Sequence, residues 1–127
     1  MNLEKVIFGF FVILACTLNF GFVIGGIDNP AVHHPAHMFA AVIVNLIALV
    51  MKFGDRTHLG ATHLATSLAA MLQLLAATSV WMWRLHIDHL AVDGATMSLI
   101  VSLSGGALVA NLISVMLLIG ETLRQTR

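Results

Sequence analysis

Charged residues are scarce in this chain. Asp, Glu, Lys and Arg make up 9% of its 127 residues, against 59% hydrophobic. A soluble domain of that size could not cover its surface with so few charges. The formal net charge is zero, which offers no basic face to nucleic acid. Cysteine is limited to Cys16, so no internal disulfide can form. No Lys, Arg, Asp or Glu occurs between Lys5 and Asp28, and an apolar run of that length is the signature of a membrane span.

Four such segments can be marked off as one domain covering residues 1–127, at about 6–27, 35–53, 59–83 and 95–120. At ~1.5 Å per residue each covers the ~30 Å of hydrocarbon in a bilayer. Helices are the expected form, because an open sheet would leave backbone groups unpaired in lipid. The reading is therefore an all-α, integral membrane four-helix bundle. Asp28-Asn29-Pro30 signals a turn, and Pro35 suits the first position of a helix. Gly54 can close the second segment, Asp55 or Thr57 can cap the third, and Asp93 or Gly94 can open the fourth.

Both termini are expected in the cytoplasm. That orientation puts Lys5, Lys52, Arg56, Arg124 and Arg127 inside and only Arg84 outside, as positive-inside topology requires. Trp81 and Trp83 then fall at the outer interface. The stretch 40–55, AAVIVNLIALVMKFGD, aligns with 106–121, GALVANLISVMLLIGE, matching Asn45 to Asn111 and Gly54 to Gly120. Either a helical hairpin was duplicated, giving a parallel repeat, or two Leu/Val/Ala helices match by chance.

Each segment carries one amide near its middle: Asn19, Asn45, Gln73 and Asn111. These could line a polar midplane path or serve as interhelical hydrogen-bond glue, the commoner role. No carboxylate, lysine or arginine lies at depth, which argues against a proton relay or voltage sensor. Small residues recur every fourth position, as Ser98, Ser102, Gly106, Ala110 and Ser114 in the fourth segment. The third has Ala61, Ala65, Ala69, Gln73 and Ala77, and the first has Gly21 and Gly25. Positions four apart share a helix face, so these are packing surfaces. Two stripes can satisfy each other within one bundle, and the remaining faces then call for copies of the chain or a larger membrane partner.

Histidines are unusually clustered. His33, His34 and His37 lie in HHPAH, and His86 and His89 flank Asp88 in RLHIDHL. The residue types suit zinc, nickel or copper(II), but the spacings match no known closed site. Pro35 keeps His33 and His34 off a helix, which spoils a His-x-x-x-His pair with His37. A haem held by His37 and His86 is a further option, although haem ligands usually lie deeper in a bundle. A pH-sensing role needs only one titrating histidine. The blandest reading is a hydrated rim at the headgroups, with no cofactor. His63 differs, being the one ionisable side chain expected within a span.

MNLEKVIFGFFV, LNFGFVIG and VNLIALVMKFGDRT together resemble a family of small bacterial inner-membrane proteins of unassigned activity. The resemblance implies a four-helix inner-membrane fold and an association with ion channels. VIVNL is also similar to a run in small fluoride channels, but SLAAMLQLLAATS lacks their Gly-rich filter stretch. No nucleophile, base and orienting group can be assembled, so an enzyme is not expected. The expectation is an accessory subunit of a membrane transport assembly, most simply an ion channel, with Lys52, Asp55 and Arg56 contacting its partner. The alternative is a self-assembled pore lined by the amides.

Overall fold

The computed structural model describes residues 3–53 and 57–125. Four long helices account for most of them, and no strand occurs among the described residues. They are α1 (Leu3–Val23), α2 (Pro35–Lys52), α3 (His58–Met82) and α4 (Gly94–Gln125). All four are long and apolar enough to cross a bilayer, so this is a multi-pass membrane protein. Each helix packs on its neighbour in the chain, and α1 closes the ring against α4. Both ends of the described chain, with the end of α2 and the start of α3, form the terminal end of the bundle. The α1–α2 and α3–α4 loops form the opposite, histidine end.

The helix boundaries follow local chemistry. Pro35 occupies the first turn of α2, where its missing N–H costs nothing. The Thr57 side chain accepts a hydrogen bond from the Gly60 N–H at 2.9 Å and so starts α3. Asp93 does the same for α4 through the Thr96 N–H at 2.8 Å. Gly54 and Asp55, the other expected boundary residues, lie outside the described residues. α1 ends at Val23 rather than near Ile27, because Gly25 adopts φ +113° and turns the chain. A Cβ on Gly25 would stand 2.9 Å from Val32 Cγ2, so only glycine fits there. After Met82 the third helix widens into a π turn, Trp83–Ile87, where the Asp88 N–H reaches back to Trp83 O at 3.1 Å.

The interior is tiered. At the histidine end Phe22, Met38, Ala77, Trp81, Met97, Ile100 and Val101 form one apolar cluster. The waist is nearly all alanine, with Ala41, Ala70, Ala107 and Ala110 around Leu74. Phe8, Val12 and Ala48 fill the terminal end. Lipid supplies no hydrophobic drive to pack helices, so an alanine waist holds by letting backbones approach closely. Trp81 points inward onto Phe22, while Trp83 is exposed, so only one indole takes the interfacial role expected of both.

The internal echo extends to burial. The buried residues of α2 are Met38, Ala41, Val44, Asn45 and Ala48. Shifted by the sequence alignment they fall on Ser104, Ala107, Ala110, Asn111 and Ser114, all buried. α2 and α4 also run in the same direction at opposite corners of the ring, as a parallel repeat would place them.

Candidate functional site

Polar groups collect in two places, the bundle interior and the histidine end. Inside, Asn19, Asn45 and Asn111 are buried and Gln73 is half-buried. They do not share one level. Asn19 is a single turn below Phe22 of the upper cluster, beside Leu18 of the alanine waist. Asn45 and Asn111 lie between the waist and the terminal cluster of Ala48 and Val115. The expected midplane ring is therefore staggered along the bundle axis, inside a single chain.

Their bonding is incomplete. Asn45 Nδ2 donates to Ala41 O at 2.7 Å, within its own helix. Both polar atoms of Asn19, Gln73 Oε1, Ser104 Oγ and Asn111 Nδ2 are buried without a partner. An unsatisfied buried group costs on the order of 1–3 kcal/mol, so such a set calls for bridging water or a polar ligand. The five atoms include both donors and acceptors, carry no charge and are spread along the bundle axis. Nearer the terminal end, the Thr66 and Ser114 hydroxyls bond across α3 and α4, and Thr66 also donates to His63 O at 2.9 Å.

His63 is buried, with its ring edge-on to Phe8 at 5.1 Å between centroids. Lys52 Nζ stands 4.3 Å from the centre of the same phenyl ring. Lys52 is thus engaged within its own chain, while Asp55 and Arg56, its expected companions in partner contact, lie outside the described residues. Lys5 Nζ pairs with Glu121 at 2.6 Å, joining the start of α1 to the end of α4.

The small residues divide by role. Gly21 receives the His37 ring, with His37 Cδ2 3.2 Å from where a Cβ would stand. Gly106 receives the Gln73 amide, and Ala110 sits in the waist. Ser98 is half-buried, and exposed Ser102 donates to its carbonyl at 2.8 Å. Ala61, Ala65 and Ala69 are exposed, so of the third-helix stripe it is Gln73, against Gly106, and buried Ala77 that turn inward. α3 instead buries Gly60, His63, Ser67, Ala70, Leu74 and Ala77, a face selected by the Thr66–Ser114 bond and the Phe8–His63 contact. Thr62, Ile113, Met116, Leu117 and Gly120 line an open groove of about 710 Å³ between α3 and α4 near the terminal end.

At the histidine end the clustered histidines separate. His33 is 1% exposed, with Nδ1 2.6 Å from Phe22 O and Nε2 2.7 Å from Gly26 O. Both ring nitrogens thus face backbone carbonyls rather than an open metal position. His34 and His37 are exposed, their ring centres 6.2 Å apart. His86 belongs to the π turn, followed by Asp88 and by His89 at φ +53°. Among the described residues no three His, Cys, Asp or Glu side chains converge to hold a metal ion. His37 packs on Gly21 of α1, whereas His86 lies in the π turn that follows α3.

Arg84 braces the other loop. Its Nη2 meets Asp93 Oδ2 at 2.9 Å and its Nε donates to Ala91 O at 3.1 Å. Bonds from the Thr96 hydroxyl and N–H, with help from the Arg84 guanidinium, hold the Asp93 carboxyl below its ordinary range.

A family model matches residues 32–122, from the turn before α2 to near the end of α4. The chain belongs to DUF6394, a family of unknown function. Membership rests on the last three helices, whereas the sequence resemblance was strongest in the first two. No curated protein matches the chain, and no solved structure matches it. Sequence reasoning named the amides and histidines but missed the buried seat of His33. The one available signal was the pairing of Gly25-Gly26 with Pro30 and Pro35, which lets the loop fold back on itself.

Proposed function

We propose that this chain is a non-enzymatic transmembrane subunit of a membrane transport assembly, most simply an ion channel. Its setting would be a bacterial inner membrane, with both termini in the cytoplasm. The observation that carries the reading is the α3–α4 groove. Its lining includes Gly120, around which a Cβ would meet open space. Thr62 shares a helix face with Ala65 and Ala69, at positions three and seven further along. An open groove lined mainly by apolar side chains, with Glu121 and Arg124 also in its lining, is a surface on which a neighbouring membrane helix can pack. The cationic residues Lys5, Lys52 and Arg124 at the terminal end, against Arg84 alone at the other, support cytoplasmic termini.

Extraction of the native particle in mild detergent, followed by its mass and composition, tests the proposal. A larger channel-like polypeptide at fixed ratio supports it, and a pure homo-oligomer overturns it.

The unpartnered atoms of Asn19, Gln73, Ser104 and Asn111 favour a second reading, a pore built from this chain alone. In that case the path runs through the interior of each bundle rather than between copies. Flux in vesicles should then disappear when Asn45 and Asn111 are both replaced by Leu.

A further inference from the structure

The seat of His33 requires a particular protonation state. Its Nδ1 and Nε2 face two backbone carbonyl oxygens at 2.6 and 2.7 Å. A carbonyl can only accept, and a neutral imidazole has one N–H and one lone pair. Either neutral tautomer therefore sets a nitrogen lone pair against an oxygen lone pair at hydrogen-bond distance. The imidazolium alone makes both bonds, each strengthened by its charge.

The surroundings suit a cation. Phe22 O belongs to the last turn of α1, where carbonyls lack intrahelical partners and the helix dipole is negative. The Phe22 ring, 5.6 Å from the imidazole, excludes water and so costs the charged form solvation, which the two carbonyls must offset. No ion pair involves His33 among the described residues. The titratable groups nearest in the chain are exposed Asp28, His34 and His37. Those of the α3–α4 side are the bonded Arg84–Asp93 pair and exposed His86, Asp88 and His89. The charge is thus compensated by carbonyls, not by an acid that would titrate with it.

We propose that His33 is a pH-operated latch on the α1–α2 loop. As imidazolium it pins residues 24–33 onto the end of α1. Loss of one ring proton leaves one contact repulsive, so the loop swings away from either Phe22 O or Gly26 O. The same loop abuts the start of α4, where Asp28 O stands 3.0 Å from the Cβ position of Gly94. Release therefore loosens a contact spanning the histidine end. The sign is fixed: the latch is closed on the acid side and opens as pH rises.

The full chain in nanodiscs allows a direct test, by amide hydrogen exchange of residues 24–33 at pH 5.5 and 8.5, corrected for the intrinsic exchange rate. Wild type should lose protection by about tenfold or more at the higher pH, the scale of one charged hydrogen bond. His33→Gln should be weakly protected at both pH values, with helix content unchanged by circular dichroism. The double variant His34→Gln/His37→Gln should keep the wild-type response. A flat wild-type profile, a response that survives in His33→Gln, or one that vanishes in the double variant would each overturn the latch. Nitrogen-15 spectra offer a check independent of any variant, since both His33 ring nitrogens should carry protons at pH 5.5. A single N–H there would likewise overturn it.

Discussion

Gln73 lies across Gly106, its Oε1 and Nε2 2.7 and 2.8 Å from the point where a Cβ on that glycine would stand. The half-buried amide is thereby pressed into the α3–α4 seam by the absence of a side chain opposite it. Gly106→Ala should displace the end of the flexible Gln73 side chain, offsetting the helix-propensity gain and leaving the variant less stable than its Gly105 counterpart. Gly105 supplies the contrast, because a Cβ there meets nothing within 4 Å. Gly105→Ala should be neutral or should stabilise by about 0.5–1 kcal/mol through helix propensity. Thermal unfolding of both variants in one detergent decides the matter, and equal midpoints would refute the Gln73–Gly106 relationship.

Gly25 tests the loop in a different way. At φ +113° and with Val32 Cγ2 2.9 Å from its Cβ position, it cannot become alanine without strain and collision. Gly25→Ala should destabilise by about 1–3 kcal/mol. Gly26→Ala, whose Cβ would make ordinary contact with Asn29 at 3.7 Å, should be far milder. Denaturation midpoints of the pair provide the comparison.

Much of this fold was legible because its boundaries are local. Pro35, Thr57 and Asp93 sit at helix starts for reasons contained within three residues of each. The alignment of Asn45 with Asn111 proved to be an alignment of entire buried faces. Spacing alone, however, could not tell an inward stripe from an outward one. Ala61, Ala65 and Ala69 recur as regularly as any core face, yet His63, Ser67 and Ala70 are the residues turned inward. The seat of His33 depends on carbonyls seven and eleven residues back, brought together by the returning loop. Gly25-Gly26 with Pro30 and Pro35 signals that the loop returns, but not which carbonyls it brings to His33.

The other loop should respond to pH with the opposite sign. The Asp93 carboxyl is held low by Thr96 and Arg84, so its ionised form is the one the folded state favours. Its contribution is present above the ordinary carboxylate range and is lost as pH falls through the lowered value. Acid should therefore release Arg84 and loosen the junction of the π turn with α4, while the α1–α2 loop remains attached. Asp93→Asn should abolish this acid response. Proteolysis or hydrogen exchange at residues 88–96 reports it, and an unchanged acid profile in the variant would exclude Asp93 as its source.

The groove gives the sharpest separation between folding and assembly. Ala65 and Gly120 face outward, whereas Gly106 holds Gln73 within the seam. A leucine at either outward position should leave the bundle's thermal midpoint within about 0.5 kcal/mol of wild type, as surface substitutions generally do. If a helix from another subunit lies in the groove, the same leucine should weaken its co-purification by about tenfold or more through overpacking. Gly106→Leu should instead lose the partner and the fold together, so it cannot report on assembly. Retention of the partner by both Ala65→Leu and Gly120→Leu, with the bundle intact, would place the interface elsewhere and remove the α3–α4 groove from the assembly.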